Sequence, residues 1–460
     1  MSSNKRQKAG DSPLPSARLQ AVGSTKVLQK NADGSVVKRT VLPGGLRVIT
    51  EYIPGVRSVA IGMWAGVGSR DETPEMAGSA HFLEHLLFKG THTRNALDIS
   101  SPIDAVGGEM NAFTSKEYTC YYVKVLDQDM ALGIEILSDM LTNSIITPAD
   151  FKQEQKVILE EIAKYEDDYA DNAHEAFNKA MFGDSDLGRP ILGTVKTIKA
   201  AARDSVWKFY KKHYKPNHLV ISVAGAIDHA DVVAAVKKGF KHTLGGNALP
   251  NERRKSRKSF TPQSQIKLVT RDTEQAHLVW GVPAFARGDQ RRYAVGVMNS
   301  VLGSGMSSRL FQEVREKRGL AYTVYSFLNS FADTGYFGIY TGSTPKKMGQ
   351  AVEVIEMTLK DLVNHGISDA EIQRGKGQLR GGLVLGQEDT TSRMTRIAKA
   401  ELVTGELPSV DEILERVDAV TSEEIHDVVS DFFTQKPIIG VAGPYKSVRE
   451  FQSSIKRKVT

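Results

Sequence analysis

Residues 78–91 read GSAHFLEHLLFKGT, and this short stretch decides how the rest of the chain is interpreted. His81, Glu84 and His85 stand in the order His-x-x-Glu-His among apolar residues. Positions four apart share one face of a helix, so both imidazoles can reach a single metal ion, with Glu84 on the same side. The stretch predicts a buried metal-binding helix, because buried polar groups need a partner. The alternative is two surface histidines beside a helical glutamate.

A catalytic zinc ion usually has three protein ligands and one open position, so a third ligand should lie elsewhere in the chain. The helix predicted over 150–165, DFKQEQKVILEEIAKY, offers the best candidates. At 100° per residue, Glu154 and Glu161 fall on its apolar face, whereas Glu160 points to solvent. Two carboxylates on a buried face are costly without a cation, so we expect Glu161 to be the third ligand. We expect Glu154 to be a further catalytic residue that contacts the metal ligands without binding the ion.

These residues together predict hydrolysis at a zinc ion, with one ion per chain. Zinc polarises a peptide carbonyl and lowers the pKa of the water that it binds. Glu84 is expected to take the proton from this water and to pass it to the leaving amine. Cys120 lies in YTCYYVKV, which has the pattern of a core strand. We therefore interpret Cys120 as a packing residue and not as a nucleophile.

The chain contains an internal repeat. ISVAG at 221–225 returns as IGVAG at 439–443, and strand-like runs alternate with long helical segments in both copies. The second copy has Gly375 and Gly382 where the first has its two buried-face glutamates, and it lacks the histidine pair. We therefore expect two homologous domains, of which only the first binds metal.

The predicted fold class is α+β, with each domain a largely antiparallel sheet covered by helices. Breaks in composition set the limits of the parts. The predicted parts are a disordered basic arm at 1–40, a catalytic peptidase domain at 41–243, a linker at 244–264, a metal-free domain that supplies substrate-binding residues at 265–450, and a tail at 451–460.

Composition limits the remaining classes of function. The 460 residues carry a net charge of +6, but the excess of Lys and Arg lies in the arm, so we expect no nucleic-acid partner. A single cysteine excludes a disulfide framework and suits a reducing compartment. No apolar run is long enough for a membrane span, and the arm lacks the apolar core of a secretory signal. We expect a cytoplasmic bacterial protein, with the mitochondrial matrix as the alternative.

Four segments resemble the pitrilysin and mitochondrial-processing-peptidase family of zinc metalloendopeptidases, the inverzincins. GSAHFLEHLLFKGT and VILEEIAKYEDD resemble its two metal segments, and the likeness covers nearly all of 41–450. GGEMNAFTSKEYTCYY is similar to the edge strand that pairs with an extended substrate, which implies substrate binding by Asn111, Ala112 and Phe113. LFQEVREKRGLAYTVYSF resembles the segment that supplies an arginine and a tyrosine to the active site, here Arg318 and Tyr325.

The resemblance implies an endopeptidase that acts on peptides or unfolded segments, with two chains closing around a chamber. The metal residues and the Arg318 segment occur together here, and the glycine stretch at 303–305 is short. That combination is similar to the single-gene bacterial members and implies a homodimer. Two alternatives stay open: the catalytic subunit of a mitochondrial presequence-processing peptidase, and a non-catalytic scaffold like the respiratory-complex core subunits. The intact metal residues speak against the scaffold.

Overall fold

Two β-sheets organise the chain in the computed structural model, which describes residues 13–254, 262 and 264–456. The strands of the first sheet are β1 (Thr25–Lys30), β2 (Val36–Val41), β3 (Arg47–Tyr52), β4 (Ser58–Ala65), β5 (Glu109–Thr114), β6 (Thr119–Leu126) and β7 (Leu219–Gly225). Those of the second are β8 (Ile266–Thr270), β9 (Ala276–Ala284), β10 (Thr323–Ser330), β11 (Gly335–Ser343) and β12 (Ile438–Gly443).

Fifteen α-helices accompany these strands within the described ranges. The helices of the first half are α1 (Ser79–Leu87), α2 (Ala96–Ala105), α3 (Met130–Asn143), α4 (Pro148–Asp167), α5 (Tyr169–Phe182), α6 (Val195–Ala200), α7 (Arg203–His213) and α8 (His229–Gly239). Those of the second half are α9 (Arg292–Gly303), α10 (Pro345–His365), α11 (Asp369–Gly386), α12 (Thr390–Lys399), α13 (Val410–Asp418), α14 (Ser422–Phe433) and α15 (Val448–Lys456).

The two sheets contain the same series of five strands. The first runs β1-β2-β3-β7-β4-β6-β5 and the second runs β10-β11-β9-β12-β8. From β3 to β5, the first sheet therefore repeats the order from β8 to β10 in the second. In both sheets the first pair of this shared series is parallel and the other pairs are antiparallel. The predicted α+β fold with two related domains is confirmed.

One face of each sheet packs on helices of its own half. In the first core, Ile61 of β4 meets Phe82 of α1 and Leu137 of α3 in one cluster of fully buried side chains. The corresponding core of the second half gathers α9, α10 and α14 around β9 and β11. Each such side chain contributes roughly 1.5–3 kcal/mol to stability through burial.

The other face of each sheet is covered by a helix from the opposite half. Helix α12 packs on β3, β4 and β7, where Met394 and Ile397 cluster with Trp64. Helix α5 packs on β8, β9 and β12, where Phe177 joins the buried residues of the second sheet. Gly440 of β12 lies so close to the backbone of α5 that a Cβ has no room there. The two halves are therefore interlocked by an exchange of equivalent helices.

Residues 25–41 belong to the first sheet, which corrects the expectation of a disordered arm over 1–40. Strand β1 pairs with β2, and β2 continues onto β3. Val37 is fully buried, and the buried Arg39 guanidinium donates to Glu401 Oε2 at 2.7 Å. The basic composition concealed this arrangement, because the carboxylate that pairs with Arg39 lies in the second half. Residues 1–12 of the predicted arm lie outside the described residues.

The remaining predicted boundaries are only partly covered by the structure. Residues 255–261 and 263 of the predicted linker lie outside the described residues, as do residues 457–460 of the predicted tail. Helix α15 crosses the predicted domain end at residue 450, because Phe451 is fully buried in the second core. Within the described ranges, no helix combines the length and the apolar character that a membrane crossing requires.

Candidate metal centre

Helix α1 carries the His-x-x-Glu-His residues into the interior of the first half. Its apolar residues are fully buried, and it packs against α4, α7 and β5. The helix begins directly after Gly78, whose φ of 95° lies in the left-handed region. A Cβ at this position would be 2.6 Å from the carbonyl oxygen of Leu192, so only glycine fits at the start of the helix.

His81, His85 and Glu161 converge as the sequence predicts. Their candidate ligand atoms all lie within 4.8 Å of one another. Glu161 Oε2 is 3.7 Å from His81 Nε2 and 3.5 Å from His85 Nε2. These spacings are too long for hydrogen bonds but suit atoms that share a cation.

The residues present fit a zinc ion. Glu161 Oε2 is buried and has no hydrogen-bond partner, and buried polar atoms are rarely left in that state. Two imidazoles and one carboxylate are a set of protein ligands found in catalytic zinc sites, where a fourth position stays open. A zinc ion would therefore be held by His81, His85 and Glu161.

Glu154 lies behind the triad and touches one of its members. Its Oε2 is 3.2 Å from His85 Nδ1, and its Oε1 forms an ion pair with Lys89 Nζ at 2.8 Å. A proton on Nδ1, shared with this carboxylate, leaves the lone pair of His85 Nε2 free to face Glu161. Glu154 is thus placed to orient a ligand rather than to be one.

Glu84 shares the wall of the site with the triad. The Thr114 hydroxyl donates to Glu84 Oε2 at 2.5 Å, which fixes the carboxylate beside the end of β5. Burial raises the pKa of Glu84, and the nearby Glu161 adds to the rise, while Thr114 and His85 oppose it. A raised carboxyl pKa suits a group that must accept and return a proton near neutral pH.

The histidine electrostatics favour metal binding. Burial lowers the pKa of His81 to about 3, and the neighbouring His85 lowers it further. His81 is therefore neutral at physiological pH, and a neutral imidazole is the form that binds a metal.

A cavity of about 750 Å³ opens beside the triad. His81, Glu84 and Glu161 line it together with Ala112, Phe113 and Thr114 of β5. Val269 and Arg271 close it from the second half. The site is thus accessible to an extended ligand and lies where the two halves meet.

Ala112 and Phe113 line the cavity of the triad, whereas Asn111 lines a neighbouring cavity with Glu84, His85 and Glu154. Asn111, Ala112 and Phe113 lie on β5, the outermost strand of the first sheet, which pairs with β6 on one side. The N–H of Ala112 donates to its neighbour Asn111 Oδ1 at 2.8 Å, so it is free of the ladder with β6. Phe113 packs edge-on against Trp64 with 5.7 Å between ring centroids.

Tyr325 and Arg318 lie in different surroundings. The Tyr325 hydroxyl is 3.4 Å from Nε2 of His174, which lines the cavity of the triad. Arg318 donates to both the backbone and the carboxylate of Glu313, and it does not line that cavity. Within one chain the structure therefore brings Tyr325 close to the site and leaves Arg318 apart from it.

Sequence reasoning missed Thr114, Lys89 and His174. Lys89 stands four residues after His85 in the sequence, but α1 ends at Leu87, so helical spacing does not place it. Thr114 follows the predicted substrate strand, but its contact with Glu84 depends on how α1 crosses β5. His174 is carried on α5, whose packing on the second sheet had no signal in the sequence.

Comparisons with known proteins agree with this geometry. The insulinase domain of peptidase family M16 matches residues 47–195, and the domain described as the M16 inactive domain matches residues 200–379. A protein of Streptomyces coelicolor named an uncharacterized zinc protease is 51% identical over 94% of this chain and 95% of its own length. A Bacillus subtilis protein with the same description is 41% identical over 89% of this chain and 98% of its own length.

Solved structures share the fold. A protease from Helicobacter pylori superposes with a TM-score of 0.80 at 21% identity, covering 89% of this chain and 99% of the other. A Pseudomonas fluorescens protein, titled a peptidase M16 inactive domain, gives a TM-score of 0.80 at 18% identity, covering 89% of this chain and 98% of the other. The sequence relatives carry the argument further, because their identity is high over nearly full length. They confirm the predicted family, and the chain belongs to peptidase family M16, the insulinase or pitrilysin family of zinc metallopeptidases.

Proposed function

We propose that the chain is a zinc-dependent endopeptidase that cleaves peptides or unfolded segments inside a closed chamber. One observation carries the proposal: His81, His85 and Glu161 converge on the wall of a cavity, with the Glu84 carboxylate beside them. The cavity has room for several residues of an extended peptide. Zinc would polarise the scissile carbonyl and lower the pKa of a water molecule.

Glu84 is the general base of this proposal. The Thr114 hydrogen bond occupies Oε2, which leaves Oε1 to take a proton from the attacking water. The same carboxyl then returns the proton to the leaving amine.

Strand β5 is the proposed substrate-binding element. An extended peptide can add to the free edge of a sheet through main-chain hydrogen bonds. The outward N–H of Ala112 is one such group, and Asn111 covers it in the absence of a peptide. A peptide that displaces the Asn111 amide would run past Glu84 and Glu161 along the cavity.

A homodimer is the proposed assembly, in which Arg318 and Tyr325 act on a substrate in the chamber. Arg318 lies apart from the cavity of its own chain, so closure by a second copy gives it a way to contribute. A bacterial cytoplasmic location is part of the proposal: the relatives are bacterial, and the single cysteine suits a reducing compartment.

Metal removal tests the proposed activity. The purified chain should cleave a quenched peptide, lose this activity on treatment with a strong chelator, and regain it on addition of one equivalent of zinc. Magnesium should not restore activity, because it prefers oxygen ligands. Cleavage that continues undiminished after complete metal removal would contradict the proposal. The elution and light scattering of the same sample report whether it is a dimer.

A further inference from the structure

The loop between β4 and α1 contains two buried ionisable residues that the proposed chemistry does not use. The side chain of Arg70 is 4% exposed, and Glu72 is 5% exposed. Buried charges are costly unless they are paired and hydrogen-bonded, so their partners show what this loop holds together.

Glu72 caps the helix that carries the histidines. Its Oε2 accepts from the N–H of Gly78 at 2.9 Å, and its Oε1 accepts from the N–H of Ala80 at 2.6 Å. Gly78 has no side chain to cap the helix itself, and the nearby carbonyl of Leu192 excludes a larger residue there. Burial raises the pKa of Glu72 to about 8, and the N–H groups of Ala80 and Gly78 oppose this rise. Because each of its oxygens accepts a backbone N–H, the Glu72 side chain supplies a cap from six residues earlier. Ala80 directly precedes His81, so this contact fixes the turn that presents the first imidazole.

Arg70 joins the turns of two edge strands. Its guanidinium donates to Glu117 at 2.8 Å, in the turn between β5 and β6. It binds Asp333 in a bidentate pair at 2.8 and 2.7 Å, in the turn between β10 and β11. A further bond reaches Asp186 at 3.0 Å in the loop after α5. One buried guanidinium thus links the proposed substrate strand to the second half of the chain.

Glu117 is also bound by residues of the second half. Glu117 accepts from Arg287 at 2.6 Å and from the N–H of Ala332 at 3.2 Å. Both donors belong to the second half, and Arg287 also donates to the carbonyl of Ser330 at the end of β10. These contacts join the second half to Glu117, in the turn between β5 and β6, and through Glu117 to Arg70, which lies two residues before Glu72.

We propose that Arg70 and Glu72 are positioning residues, which hold helix α1 and strand β5 in a fixed arrangement with the second half of the chain. The inference rests on the proposed function for its effect on turnover, but not for its effect on structure. Lysine cannot replace Arg70, because its single ammonium cannot make the bidentate pair and the two further bonds together. Glutamine at position 72 keeps one acceptor oxygen and loses the other.

Hydrogen exchange tests the positioning directly in the full-length protein, with and without zinc. Glu72→Gln should speed exchange at 79–87, and Asp333→Asn should speed it at 109–119. Asp333→Asn is a mild change, since Arg70 keeps its bonds to the carboxylates of Glu117 and Asp186. Arg309→Lys is the matched control, because Arg309 makes a similar paired contact with Glu371 in the second half. Unchanged exchange in both segments, or the same change in the control, would overturn the proposal.

Turnover separates positioning from general stability. Arg70→Lys should lower kcat roughly 10²-fold, the effect expected of a displacement of about 1 Å, while the zinc content stays near that of the wild type. Adding Asp333→Asn to it should cause little further loss, because both changes break one contact. Additive losses, or a loss of kcat that follows the loss of zinc, would contradict the proposal. If even the wild type cleaves no peptide, the proposed function fails, while the exchange experiment still decides the positioning.

Discussion

Glu160 and Glu161 are neighbours in the sequence but lie in different surroundings on α4. Glu161 turns an enclosed oxygen toward the two imidazoles, whereas Glu160 is exposed to solvent. This difference could be predicted from the sequence, because a helix turns 100° per residue and the apolar residues of the segment mark the buried face. The contact between Glu154 and Lys89 could not be predicted, since it depends on how closely α1 and α4 approach each other.

The face of α4 can be tested with two neighbouring substitutions. Glu161→Gln should weaken zinc binding by more than the roughly 10–100-fold that loss of an outer partner costs, because it removes a ligand. Glu160→Gln is the matched control and should leave zinc binding and activity unchanged. Competition with a chromogenic chelator measures the zinc affinity of both variants, and cleavage of a quenched peptide measures their activity. Equal effects at the two positions would show that the helix face is wrongly assigned.

Glu154→Gln should give an intermediate result. The amide still contacts His85, but it holds the Nδ1 proton less strongly and leaves Lys89 without its counter-charge. We expect zinc affinity to fall about 10–100-fold. The same competition assay measures the loss. An effect as large as that of Glu161→Gln would instead identify Glu154 as a ligand.

At the scale of single elements, the exposed edge of β5 is the feature on which substrate binding depends. Ala112→Pro removes an N–H that faces away from β6, so the strand pairing should survive. If a peptide binds there, KM should rise about threefold to tenfold, which is the worth of one hydrogen bond. Zinc content should stay the same. Ala112→Gly keeps the N–H and is the control; a KM equal to that of the wild type in the proline variant would exclude this edge.

Apolar runs such as those of β4, β6 and β7 made most strands recognisable in the sequence. Strands β1 and β2 were missed, because the segment continues the basic composition of residues 1–24 and one of its charges, Arg39, is buried against a carboxylate far along the chain. Burial of a charge is decided by its partner, and the partner is a tertiary contact.

At the scale of the whole molecule, the exchange of α5 and α12 ties the halves together. The repeat predicted two related domains but not this exchange, because an amphipathic helix does not reveal which sheet it covers. Arg393 of α12, for example, is buried and donates to Glu51 of β3 at 2.9 Å. Only the folded arrangement shows that these charges meet across the two halves.

Separated halves should therefore fail to fold alone. Without α12, a fragment spanning 1–250 exposes the cluster around Trp64, and a fragment spanning 259–460 loses the cover of Phe177. We expect both to aggregate when produced singly and to form a zinc-binding complex when produced together. Soluble yield and zinc content measure this. A soluble first half that binds zinc by itself would contradict the interlocked arrangement.

The role of Glu84 as general base is tested most directly by the substitution Glu84→Gln in the zinc-loaded protein. It removes the proposed base and leaves His81, His85 and Glu161 in place, so the zinc content should equal that of the wild type. Cleavage of a quenched peptide should fall by at least about 100-fold, the contribution typical of general-base catalysis. If the variant retains zinc and cleaves at nearly the wild-type rate, Glu84 is not the base.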